Sequence, residues 1–407
     1  IKSYQPIDSF PSTIEKITKI EVEKDKEEKR IKIETVDGSV FIGLDKNNNI
    51  IYYQNDTVKV ISDNFMRYNV TLSNLKLPQA QIIGQSFLYY NIALEVIELP
   101  KCREIGGCFL HHNKALESIE LPECREIGGS FLEYNTNIKS VYLPRAQIIG
   151  KCFLHHNKAL EVIELPECLE IRKDFLKNNT SIKSVYLPKA EYLGSCFLHS
   201  NETLESIELP ECMIIESYFL ERNANIKNIY LPKAQTIECC FLTYNEALKV
   251  IELPKCLEIK GHFLENNKNI KSVYLPKAEI IGEAFLRNNK ALESIELPEC
   301  REIGSCFLEY NKNIKSIFLP KAERLGFYFL RNNETLEVIE LPNARKIHNG
   351  FLENNKNIKN IYLPEVLIIS SNLETIPQIK SIEKKDINKN KCKTLTFSYT
   401  NRTMKFS

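Results

Sequence analysis

A phenylalanine stands at position 65 and then at every twenty-second position to Phe351, and an asparagine follows each by four residues, from Asn69 to Asn355. A Leu-Pro pair closes each unit, from Leu77-Pro78 to Leu363-Pro364. A unit this short cannot cover its own apolar side chains, so its copies must stack, each coil burying the face of the one before. The period therefore dictates a solenoid. Although 407 residues would ordinarily imply more than one compact domain, a solenoid lengthens by adding coils instead of enlarging one core.

The unit can be read residue by residue. In Leu116-Glu117-Ser118-Ile119-Glu120-Leu121-Pro122-Glu123-Cys124 the apolar positions follow L-x-x-I-x-L-x-x-C, the strand portion of a leucine-rich repeat. Ile119 and Leu121 alternate with Ser118 and Glu120, so two side chains point inward and two toward solvent. The expected fold is an α/β-type repeat, mostly β and irregular, with one short parallel strand per 22-residue coil. Pro122 has no N–H for a neighbouring strand, so the ladder stops there and the chain turns. Ile127, Gly128, Phe131 and Leu132 return along the outer side, and Asn135 is expected to bond nearby backbone where the path bends back.

The run from Leu116 to Gly128 with Phe131 resembles the repeats of the BspA-like leucine-rich repeat family, and the likeness covers about residues 61–370 in about fourteen units. Family units are commonly one residue longer and often carry cysteine where this chain has asparagine. The resemblance implies a binding scaffold of surface or secreted proteins of bacteria and some protozoa, of the adhesion or host-interaction type. It implies neither catalytic residues nor a cofactor.

The ends are expected to be caps, because an open solenoid exposes apolar surface at both termini. Residues 1–60 read as a β-rich N-terminal cap, with strands at Lys19–Glu23, Arg30–Glu34 and Val40–Ile42 and a hairpin at Asp37-Gly38. Residues 61–370 form the solenoid, and 371–407 read as a C-terminal cap whose hairpin turns at Asn401-Arg402.

Two kinds of repeat alternate, as in Leu116–Cys124 and Ile138–Ala146. Equivalent positions of neighbouring coils lie about 4.8 Å apart, so Glu117, Lys139, Glu161 and Lys183 form one row of opposite charges, and Glu123, Arg145, Glu167 and Lys189 another. The alternation breaks where Lys249 and Lys255 replace glutamate, which makes Lys227, Lys249 and Lys271 consecutive, as are Lys233, Lys255 and Lys277. A third row reads Glu120, Tyr142, Glu164, Tyr186, Glu208, Tyr230, Glu252, Tyr274, Glu296, Phe318, Glu340 and Tyr362. It is expected on the solvent side of the strands, the concave face of such a repeat, where regularly spaced aromatics suit a protein interface.

The net charge is +1, from 54 basic and 53 acidic residues, so no bulk field favours nucleic acid, and no apolar stretch approaches the roughly 18 residues of a membrane helix. Cysteine fills the last repeat slot at Cys102, Cys124, Cys168, Cys212, Cys256 and Cys300, and precedes Phe at Cys108, Cys152, Cys196, Cys240 and Cys306. An odd total of 13 in small apolar slots suggests thiols and a reducing compartment, against the secreted or surface location implied by the family; a Cys102–Cys124 bridge is also within strand spacing. The chain opens Ile1-Lys2-Ser3 as a processed or trimmed product would, so its lack of a leader does not bear on secretion. His111-His112 and His155-His156 recur two coils apart, about 10 Å, too far for equivalent histidines to share an ion. No metal site, cofactor or enzymatic centre is therefore expected. The function read here is recognition of a protein along the Glu/Tyr row. A glycan or anionic polymer on the lysine patch and a structural repeat that self-associates through its aromatics are the alternatives.

Overall fold

The computed structural model describes residues 17–24, 28–364, 368–369 and 392–396. They fall into two compact units, Ile1–Thr203 and Leu204–Ser407, each a stretch of parallel β-solenoid. Helix is absent among the described residues, and accordingly none is long and apolar enough to cross a membrane.

Each coil makes three kinds of contact with its neighbours. The first is a three-residue strand such as Ser118–Glu120, in which Ile119 is buried between two exposed residues and pairs in register with Val141 of Ser140–Tyr142. The Leu-Pro pair then opens a β-turn. Proline holds the second position, where its fixed φ fits, and the Cys124 N–H bonds the Leu121 carbonyl at 3.2 Å. Beyond the turn the structure adds a second strand of two residues. Glu126–Ile127 pairs parallel with Glu104–Ile105 on one side and Ile148–Ile149 on the other.

The third contact is the turn around phenylalanine. The residues one before, one after and three after Phe109 take left-handed backbone, at φ of 58° for Cys108, 52° for Leu110 and 61° for His112. None is glycine, and leucine is a costly residue to place there. The conformation persists because it turns backbone N–H groups toward both neighbours. Cys108 and His112 donate forward to Gly129 and Glu133 at 2.7 and 3.0 Å, and Leu110 donates back to Phe87 at 3.1 Å. Inside these turns the rings stack. In the first unit the centroids run from 5.9 Å for Phe65–Phe87 to 5.2 Å for Phe175–Phe197, and in the second from 5.1 Å for Phe219–Phe241 to 5.8 Å for Phe329–Phe351.

The asparagine row does more than bend the chain. Asn135 is fully buried and donates its side-chain N–H to the carbonyl of Leu110, 25 residues back in the preceding coil, at 2.6 Å. Asn113, Asn157 and Asn289 repeat the bond to Leu88, Leu132 and Leu264. In the second unit the ladder is completed by Asn289 N–H donating to the Asn311 side-chain oxygen at 3.2 Å. The local bonds expected for this row are made as well, from Asn113 to the His111 carbonyl at 3.4 Å and from Asn311 to the Leu308 carbonyl at 2.8 Å, and the cross-link between coils is added to them. Leu-Pro already makes one corner, while the carbonyls of the phenylalanine turn need donors of their own.

At the N-terminal end the expected hairpin is present. Strands β1 (Ile17–Lys24), β2 (Glu28–Thr35), β3 (Gly38–Asp45) and β4 (Ile50–Asn55) form an antiparallel meander, and β4 runs parallel to Asn74–Lys76. At the other end Cys392–Thr396 pairs antiparallel with Asn360–Pro364. The hairpin expected at Asn401-Arg402 lies outside the described residues.

The slot cysteines Cys102, Cys124, Cys168, Cys212, Cys256 and Cys300 are buried thiols, and the bridge weighed between Cys102 and Cys124 is not formed. Burial pushes Cys168, Cys212, Cys256 and Cys300 up to about 12. Native protein at neutral pH should therefore react with a thiol reagent at half-exposed Cys108, Cys152, Cys240 and Cys306 first, and at the slot cysteines only in denaturant. Mass mapping of labelled peptides checks the order. Asn135→Leu strips Leu110 of its donor and should lower stability by about 1–3 kcal/mol, and Asn135→Asp, which sets an anion against that carbonyl, should lower it more. Urea unfolding midpoints read both.

Candidate functional site

The Glu/Tyr row stands on the outward positions of the three-residue strands. In the first unit Glu120 faces Tyr142 and Glu164 faces Tyr186 across parallel pairs. In the second unit Glu208 faces Tyr230, and Tyr274 lies between Glu252 and Glu296. The tyrosines are 54%, 53%, 54% and 40% exposed in chain order, and Phe318 is 57% exposed. Tyr362, beside the antiparallel strand Cys392–Thr396, and Glu340 on the strand next to it are half-buried. Among the described residues none of these rings packs on another. Ser118, Ser140, Ser184 and Ser206 beside the row are exposed, so the aromatic edges are not walled in.

The charge rows pair as their order requires. Lys139 meets Glu117 at 2.9 Å, Lys183 meets Glu161 at 2.8 Å, and Arg145 and Lys189 meet Glu123 and Glu167. The pairs are exposed, so each contributes little stability, and their effect is to keep like charges apart. The same pairing divides the basic patch. Lys227 meets Glu205 at 2.8 Å, Lys271 meets Glu293 at 3.1 Å, and Lys233 meets Glu211. Lys249, Lys255 and Lys277 are exposed and have no ion pair among the described residues. The patch therefore offers half its lysines to a ligand.

The sequence reading missed two features of the first unit. The phenylalanine turns carry a stripe of aromatic and imidazole rings, in which Tyr89 stacks on His111 at 4.9 Å and Tyr134 lies between His112 and His156 at 4.7 Å each, with the Arg67 guanidinium over Tyr68 and Tyr89. Within the stripe Glu133, only 12% exposed, accepts from His155 Nδ1 at 3.1 Å and faces His111 Nε2 at 3.4 Å. Burial alone would raise the Glu133 carboxyl, but hydrogen bonds from His111, His155 and Ser130 together hold it well below the usual carboxylate range. The equivalent histidines stand two coils apart. Glu133 occupies the same row in the coil between them, and reading that row coil by coil would have found it. Cys152 completes a three-ligand group with Glu133 and His155, all ligand atoms lying within 4.8 Å of one another.

The outer ladder of the first unit bears an open groove of about 710 Å³ between Ile82 and Arg172. Its floor is glycine, and the coils approach so closely that a Cβ on Gly128 would lie 2.5 Å from the Gly106 carbonyl carbon. Glu104, Glu126, Lys151, Arg172 and Lys173 line it with exposed Ile82.

The chain resembles several solved proteins in fold. A leucine-rich repeat protein from Bacteroides ovatus aligns with a TM-score of 0.59 at 17% identity, over 88% of this chain and 100% of that one. One from Eubacterium ventriosum aligns at 0.41 and 13% identity, over 70% and 93%, and the pneumococcal vaccine antigen PcpA at 0.37 and 14% identity, over 89% and 92%. No curated protein sequence matches it. The BspA type leucine-rich repeat region matches over residues 13–139, 81–203, 169–290 and 258–373, which together span the repeats described above. The chain belongs to the BspA-type leucine-rich repeat family.

Proposed function

We propose that this chain is a recognition scaffold of the adhesion or host-interaction type, which holds a protein partner on the outward face of its three-residue strands. The observation that carries the reading is the regular exposure of tyrosine beside in-register glutamate. A tyrosine offers a large, stiff, amphipathic surface, and interface energy concentrates on such residues. The glutamates between them supply acceptors and negative charge, which suits a partner with arginine, lysine or backbone N–H groups at the same spacing. The reading contains no catalytic step.

A second reading rests on Lys249, Lys255 and Lys277, the lysines of the basic patch left without ion pairs. Together with Tyr230 and Tyr274 they suit a sulfated or phosphorylated polymer.

The test compares the intact chain with Tyr142→Ser/Tyr186→Ser and Tyr230→Ser/Tyr274→Ser variants in affinity capture with mass spectrometry from host and self extracts. Circular dichroism confirms the folds. The partner captured by the intact chain should bind one of the double variants about 10- to 100-fold more weakly, because two central aromatic anchors are lost. Equal recovery by all three would reject the row. Lys249→Gln/Lys255→Gln should leave protein binding within about threefold, since surface pairs and charges at a rim count for little. Binding that is lost with those lysines and falls steeply with added salt would instead assign the polymer reading.

A further inference from the structure

We infer that the first unit carries a zinc-class metal site built from Glu133, Cys152 and His155, separate from the Glu/Tyr row. Cys152 and His155 belong to one phenylalanine turn, where the His155 N–H reaches the Cys152 carbonyl at 3.5 Å, and Glu133 comes from the turn before. The backbone thus presents a thiol, an imidazole and a carboxylate from two adjacent coils. A tetrahedral ion with bonds of about 2.0–2.3 Å spaces its ligand atoms roughly 3.3–3.8 Å apart. His155 Nδ1 already lies 3.1 Å from Glu133 Oε1, and the whole set lies within 4.8 Å, so closing on an ion requires side-chain rotation and no backbone change.

Charge gives an independent reason. The second unit holds a glutamate in the same register, Glu309, fully buried between two permanent cations: Arg331 pairs with it, and Arg287 Nε lies 3.1 Å from its Oε2. Glu133 is 12% exposed, and the positions equivalent to Arg287 and Arg331 there are His111 and His155. Its neighbours within ion-pair reach among the described residues are His111 and His155, which are cationic only when protonated. A divalent ion would supply at Glu133 the charge that Arg287 and Arg331 supply at Glu309.

The remaining surroundings fit a ligand set. The Asn178 carboxamide lies 3.4 Å from His155 Nε2, and with its oxygen turned to the ring it accepts an Nε2 proton once the proton that His155 Nδ1 gives Glu133 has left, so that the Nδ1 lone pair meets the metal. Asp174 Oδ2 lies 3.9 Å from Cys152 Sγ and is tied to Lys177 at 3.2 Å. Coordination by Cys152 forms the S–metal bond and releases the thiol proton to water. A thiolate, imidazole and carboxylate set selects a borderline-soft ion over magnesium or calcium. Three protein ligands leave the fourth position to water, and the half-exposed Cys152 opens the path to it.

The test uses the full chain, reduced and stripped with chelator, titrated with Co²⁺ as the spectroscopic probe and then with Zn²⁺. Saturable binding of one ion per chain should bring a thiolate charge-transfer band in the near ultraviolet, and Zn²⁺ should bleach it. Cys152→Ser should abolish the band. Glu133→Gln and His155→Gln should weaken binding at least ~10-fold, and Asn178→Ala should do so by roughly 10-fold, as the loss of an outer hydrogen bond does. Cys306→Ser, on a turn of the second unit, should change nothing, and circular dichroism confirms that each variant is folded. A band that survives Cys152→Ser, or the absence of saturable binding by the intact chain, overturns the site.

Discussion

The structure depends on one constraint: a 22-residue coil has no inside until another coil covers it. The phenylalanine rings make this plain. Each of the rings from Phe87 to Phe329 is fully buried, and within each unit the rings of adjoining coils stack on one another. Dispersion between neighbouring rings and removal of their faces from water therefore act between coils. The backbone follows the same logic. Both strand ladders join neighbouring coils, and the left-handed phenylalanine turns and the buried asparagines add further hydrogen bonds between coils. A coil closes on itself mainly at the Leu-Pro corner.

Because so much of the bonding is between coils, the left-handed turn can be tolerated. Leu110, Leu132 and Leu154 hold φ near 50° although leucine disfavours it, and they hold it through bonds that no single coil could make alone. The same turn brings Cys152, His155 and Glu133 together. A strained local conformation repeated by the fold thus creates spacing that a relaxed turn would not.

The repeat itself was legible in the sequence because its signal is the period, and period survives without knowledge of contacts. The inward Ile119, the outward Glu120 and Tyr142 and the paired charges of Glu117 and Lys139 all follow from alternation and a strand spacing. Less was legible in the segment around phenylalanine. Little in Gly-Cys-Phe-Leu-His-His announces three left-handed residues, since cysteine and leucine do not favour that region, and the asparagine four residues later carries the same letter whether it bonds its own turn alone or the coil behind as well. The shared carboxylate at Glu133 was overlooked for a different reason. The histidines repeat every second coil, and attention to that longer period skips the coil between them.

The alternation of two repeat types also limits how such an array can change length. Stacking places identical positions side by side, so a single coil gained or lost would bring Glu117 against another glutamate, or Lys139 against another lysine, and Tyr142 against another tyrosine. Where the two types alternate, two coils gained or lost restore the neighbours. Within the alternating stretch a change of length in steps of 44 residues is therefore the one that keeps opposite charges side by side, and the run Lys227, Lys249 and Lys271 marks where that order is given up.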